Sequence, residues 1–109
     1  MIELSTFKVD CTPPEGFPID FGVGWGDVAE KIRDPLHMRG IILDDGSNRC
    51  LIASLDYLGL QNRAYDSMVA ALAAAVDTSP DKVVVHCVHQ HDTPHINFEL
   101  SDLLEAEPY

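Results

Sequence analysis

The fold is decided by residues 49–88. Arg49-Cys-Leu-Ile-Ala-Ser-Leu55 comes first, a helical pattern runs from Asn62 to Val76, and Lys82-Val-Val-Val-His-Cys-Val88 follows. The first run is almost continuously apolar, which predicts a strand buried on both faces. In the second, Tyr65, Met68, Val69, Leu72 and Val76 recur at helical spacing, and the run from Ala70 to Ala75 favours helix strongly. Asn62 is the predicted N-cap. Pro80 stops the helix, because proline disfavours helix in the residue before it. The third run is short and β-branched, a second buried strand. Strand, helix, strand is a βαβ unit, so the two strands are expected to be parallel with a right-handed crossover.

Working outward, Met38-Arg-Gly-Ile-Ile-Leu43 is another strand. It is separated from Arg49 by Asp44-Asp-Gly-Ser-Asn48, a strong hairpin signal. Phe7 to Asp10 is a short strand stopped by Thr12-Pro-Pro-Glu-Gly16. Phe21-Gly-Val-Gly-Trp-Gly26 alternates glycine with larger residues, but it lacks the spacing of the dinucleotide fingerprint. It reads as a strand or turn in which backbones approach closely. Leu100, Leu103 and Leu104 make one or two amphipathic helical turns inside an acidic tail over 96–109. The predicted class is α/β, a mixed sheet with a β-hairpin and a βαβ unit.

The chain has 109 residues and reads as a single domain over 1–109. At 46% hydrophobic and 23% charged, it has the composition of a globular core rather than of a disordered tract. Seven Lys and Arg against 18 Asp and Glu give a net charge of −11. Such a surface repels phosphate backbones and anionic lipid, so a nucleic-acid partner is not expected. Metal cations and neutral substrates stay open. Cys11, Cys50 and Cys87 are odd in number and widely spaced, which predicts buried free thiols rather than a disulfide framework. No apolar run is long enough for a transmembrane segment. The start lacks the basic and apolar parts of a signal peptide, which favours the cytoplasm; a secreted or periplasmic parent with a trimmed signal stays open.

Four of the five histidines fall within ten residues: His86, His89, His91 and His95. They lie at and just past the carboxyl end of a predicted parallel strand, where open α/β sheets place their sites. Residues two apart in an extended segment share a side, so His89 and His91 present two imidazoles to one ion. His86 falls on the other side and reads as a core histidine hydrogen-bonded in the sheet. His37, alone, reads as a surface or packing residue. Asp92 is open to three roles: ligand, orienting partner of an imidazole, or loop residue. Two imidazoles beside a carboxylate suit zinc. The run His89-Gln-His-Asp-Thr-Pro-His95 misplaces Asp92 and His95 for the HxHxDH pattern of metallo-β-lactamase-type hydrolases. Asp56, at a strand end, either orients a ligand histidine or caps structure.

With those residues placed, the chain resembles the N-terminal part of the catalytic domain of the neutral/alkaline ceramidase family. Four blocks carry the likeness, in order, over roughly residues 6–95. Lys8-Val-Asp-Cys-Thr-Pro-Pro14 is similar to the family's opening segment. Met38-Arg-Gly-Ile-Ile-Leu-Asp-Asp-Gly46 resembles its strand and Asp-Asp-Gly turn. Leu51-Ile-Ala-Ser-Leu-Asp56 with Leu58-Gly-Leu60 resembles its next strand, and Val85 to Pro94 the strand ending in the HxH motif. The resemblance implies a larger α/β catalytic domain of which this chain is a part. It also implies a zinc-dependent amidohydrolase of sphingolipid metabolism that cleaves the amide of ceramide-like N-acyl lipids. It maps a zinc ligand onto His89, and places His91 beside the ion as ligand and catalytic residue. Asp92-Thr-Pro-His-Ile96 stands where the family has Ser-Gly-Pro-Gly-Gly. The family draws its other ligands from segments further downstream, so this chain by itself is expected to hold an incomplete site. Two alternatives stand beside this reading. One is a small metal-binding module that completes its sheet or site as a homo-oligomer. The other is a family hydrolase acting on a different amide or ester.

Overall fold

Two consecutive aspartates shape the turn that organises the sheet. In the computed structural model, which describes residues 1–19 and 27–105, Asp45 Oδ1 accepts from the amides of Ser47 and Asn48 at 2.9 and 2.6 Å. Asp44 Oδ1 accepts from the Gly46 amide at 2.8 Å. Gly46 sits at φ +86°, where only glycine is unstrained. The turn joins β2 (His37–Asp44) to β3 (Arg49–Leu55) as an antiparallel hairpin, with Asp44 opposite Arg49 and Met38 opposite Leu55. β1 (Glu3–Asp10) pairs antiparallel with the other side of β2 and is longer than the Phe7 to Asp10 stretch anticipated. Phe21 to Gly26 lies outside the described residues.

The βαβ unit is present. From β3 the chain passes through β4 (Gly59–Gln61) and α1 (Asn62–Ala75), then a 3-10 turn (Pro80–Lys82), and returns as β5 (Val83–Cys87). β5 lies parallel to β3, with Leu51 opposite Val83 and Leu55 opposite Cys87. The sheet order is β1-β2-β3-β5, a mixed sheet. β6 (His95–Asn97) pairs parallel with β4, and α2 (Phe98–Glu105) follows it. The acidic stretch is thus partly structured: the Arg63 guanidinium on α1 bonds Glu99 at 2.7 Å and also Asp102, both on α2. No helix among the described residues is long and apolar enough to cross a membrane.

α1 covers one face of the sheet. Met38, Leu51, Ala53, Leu55, Val83 and Val85 meet Val69 and Ala73 there, with Tyr65, Met68, Leu72 and Val76 packed around them. The other face is not covered in the same way. Cys50 is exposed, Ile52 keeps 46% of its surface and Val84 52%. The near-continuous apolar run of β3 predicts burial on both sides; in β3, as in β5, burial instead alternates with the pleat. The same alternation corrects two further expectations. His86 is exposed rather than a core histidine, because it is one residue from the buried Val85. Cys50 is likewise not a buried thiol, whereas Cys11 and Cys87 are partly buried.

The helix start also differs by one residue. Gln61, extended at φ −130° and ψ 153°, is the N-cap. Asn62 is the first helical residue, at φ +52°; the Gln61 side chain makes no cap bond, and the Arg63 amide is instead accepted by Glu99 Oε1 at 3.3 Å. The other end is held by the hairpin: Arg49 Nη1 donates to Val76 O at 2.5 Å while its Nη2 bonds Asp44 at 2.6 Å.

Candidate metal centre

The carboxyl ends of β3 and β5 stay joined after the strands finish. Val88 N donates to Leu55 O at 3.0 Å and His89 N to Tyr57 O at 3.1 Å. At His89 the backbone turns sharply, at φ +64°. Histidine is one of the few non-glycine residues enriched there. The bend, not an extended strand, brings the rings of His89 and His91 together. Their centroids are 5.1 Å apart and their planes cross at 76°.

His89 is also oriented. Its Nδ1 lies 3.0 Å from Leu58 O. A carbonyl oxygen only accepts, so Nδ1 carries the proton and donates it, leaving Nε2 with a lone pair. This is the arrangement found in metal-binding histidines, where the second ring nitrogen is tied to a backbone carbonyl. The loop beyond is braced from inside. Thr93 is wholly buried, and its hydroxyl donates to Gln90 O at 2.6 Å. Pro94 is fully buried, and its carbonyl accepts from Leu58 N at 3.0 Å.

Among the described residues, the remaining candidates form no group of three with this pair. His86 is on the sheet face opposite α1, across from Ser54. His95, on β6, stands against Gly59 of β4, where an added Cβ would meet the imidazole at 2.7 Å. Asp92 is exposed, and its amide donates to Gln90 Oε1 at 2.5 Å. Gln90, Asp92 and Pro94 line a cleft of about 670 Å³ facing the 27–34 segment; among the described residues, His89 and His91 are not in its walls.

Asp56 does not touch His89. Its carboxylate accepts from the His37 amide at 2.9 Å and from Arg39 Nη1 at 3.0 and 2.8 Å. Burial works to raise its pKa, but the Arg39 guanidinium and the His37 amide overcome that and hold the carboxyl below the ordinary value. His37 is therefore not isolated: its Nδ1 lies 3.2 Å from Arg39 Nη2 and 3.9 Å from Asp56. Next to this group, Tyr57 donates its hydroxyl to Cys11 O at 2.7 Å. Burial pushes Tyr57, Cys11 and Cys87 above their ordinary pKa values, so both thiols are poor nucleophiles at neutral pH.

No family model and no curated protein matches the chain. Two neighbouring imidazoles, one with its proton fixed on the far nitrogen, fit a zinc ion by donor type. Catalytic zinc takes three protein donors as a rule. Among the described residues no third His, Cys, Asp or Glu converges with the pair. The carbonyl of Leu58, which orients His89, had no signal in the sequence, since every residue carries a carbonyl.

Proposed function

We propose that His89 and His91 are two donors of a zinc centre in an amidohydrolase acting on N-acyl lipids of the ceramide type. The observation that supports it is the oriented pair: His89 Nδ1 tied to Leu58 O at 3.0 Å, with the His91 ring 5.1 Å away. The four sequence blocks that resemble the ceramidase family supply the substrate class. Bound zinc would supply a water of lowered pKa for attack on the amide carbonyl. His89 would hold the ion through Nε2. His91, exposed on the bend, would share the ion and would accept or return a proton at its ring. A catalytic zinc would need a third protein donor beside this pair.

A second reading has its own observation. Among the described residues β1 pairs on one side only, leaving an eight-residue edge, and Leu4 and Val9 on it are 61% and 52% exposed. Free edges invite another strand, so a small zinc-binding module completed by a second copy is the alternative.

Metal analysis after equilibrium dialysis tests the zinc reading, with size-exclusion chromatography run in parallel. We expect zinc in the parent chain, its loss in His89→Ala, and at least a tenfold weaker site in His91→Ala. Full zinc occupancy in His89→Ala would overturn the ligand assignment. Zinc-dependent dimerisation would favour the module. Preference for short acyl amides over a fluorogenic ceramide, in a protein carrying the complete site, would move the substrate class elsewhere.

A further inference from the structure

We propose that Asp56 is a positioning residue for His89. By fastening the turn Asp56–Leu58 to the start of β2, it holds the Leu58 carbonyl where it fixes the imidazole proton on Nδ1.

The turn is three residues long, and each residue is bonded to distant parts of the chain. Asp56 grips β2: its amide donates to His37 O at 3.0 Å, and its carboxylate takes the His37 amide and two contacts from Arg39 Nη1. Tyr57 reaches the end of β1 through its hydroxyl on Cys11 O, and its carbonyl accepts from His89 N. Leu58 donates to Pro94 O and accepts from His89 Nδ1. The turn therefore touches both the entry of the histidine loop, at His89, and its exit, at Pro94. Its side-chain anchorage on β2, beside the backbone bond to His37 O, is the Asp56 carboxylate. That carboxylate is 22% exposed and meets a guanidinium, so its bonds are stronger than neutral ones. If the carboxylate is lost, the turn keeps its backbone bonds but not its fixed angle, and the Leu58 oxygen no longer selects one tautomer. A shift of a few tenths of an ångström suffices, because hydrogen bonds weaken steeply with misalignment.

The proposal rests on the zinc reading only for what Nε2 then does, and its test separates the two. The tautomer of His89 is read in the metal-free chain by long-range nitrogen–proton NMR with labelled histidine, at about pH 8 where imidazoles are neutral. The parent is expected to show Nδ1–H at His89. Asp56→Asn and Arg39→Gln are expected to shift at least a third of the population to Nε2–H. The Arg39 side chain is 49% exposed, so Arg39→Gln keeps the test decisive if Asp56→Asn does not fold. Both variants should bind zinc roughly 10–100-fold more weakly than the parent. Variants that fold, melt lower and keep the parent tautomer would show Asp56 to be merely structural, and Nε2–H in the parent would also overturn the idea. A parent that binds no zinc but shows the tautomer coupling would refute the zinc reading and support this one.

Discussion

Gly40 is the position in the sheet where one methyl group has the clearest consequence. It lies opposite Phe7 on β1 and Ala53 on β3, on the face that packs under α1. A Cβ there would stand 2.5 Å from Cε1 and Cζ of Phe7 and 2.6 Å from the Ile52 carbonyl oxygen. Carbon atoms pack at about 3.5–4.0 Å, so both contacts are deep in repulsion. The two obstacles differ in kind. The Phe7 ring sits on a half-buried side chain and can turn away. The Ile52 carbonyl belongs to the β2–β3 ladder and moves only with its strand. Two opposing terms fix the sign. Replacing glycine by alanine inside a strand gains about 0.5–1 kcal/mol in intrinsic preference. Overpacking a well-filled site costs about 1–3 kcal/mol, and the backbone contact argues for the upper part. Gly40→Ala should therefore destabilise by about 1–2 kcal/mol, or lower Tm by roughly 5–15 °C for a domain of this size. Urea and thermal unfolding followed by circular dichroism measure it. Phe7→Leu/Gly40→Ala should recover only part of the loss, since the carbonyl remains. A Gly40→Ala chain as stable as the parent would refute the argument from close approach. Full recovery in the double variant would show that the ring alone was the obstacle.

Thiol reactivity should sort the cysteines by exposure. Cys50 is expected to react with a disulfide reagent within the mixing time, and Cys11 and Cys87 only slowly until the chain is denatured. Acid stability should depend on Asp56. Its folded pKa lies below the ordinary 3.8, so its contribution is present above that value and is lost as pH falls through the lowered folded value. Arg39→Gln should move the acid unfolding midpoint to higher pH, and Asp56→Asn should flatten that limb of the curve; an unchanged acid limb in both would contradict the assignment.

The hairpin and the βαβ unit were legible because their signals are local and strong. Asp44 to Asn48 carries the turn in its own side-chain acceptors, and the change of period at Asn62 marks α1. What failed depended on what covers each face. A near-continuous apolar run such as Arg49 to Leu55 reads the same whether one or both sides are buried, so the pattern places Cys50 in the interior, and the three-residue offset from His89 places His86 there too. Counting outward from a buried residue would have corrected His86, since Val85 faces the core and the pleat reverses at each step. The pairing of β4 with β6 had no signature, being three residues long on each side. At the site, the two-residue spacing indicated His89 and His91, but the geometry that joins them is a bend. The contacts that orient His89 are carbonyls, which are invisible in side-chain patterns. The pattern leaves Asp56 between two roles, and its direct partners are the His37 amide and Arg39 rather than a ligand histidine.

The bend at His89 also limits how that position can be probed or altered. A residue held at φ +64° bears a conformational penalty unless it is glycine, or one of the few types, asparagine, aspartate and histidine, that tolerate the left-handed region. Valine and isoleucine are excluded by shape alone, whatever their effect on an ion. The backbone thus filters the occupants of position 89 before chemistry is considered, and two of the side chains that pass, histidine and aspartate, are metal donors. Alanine removes the imidazole and adds strain together. Asparagine or glycine removes the imidazole while leaving the bend at ease, and so isolates the chemistry from the fold.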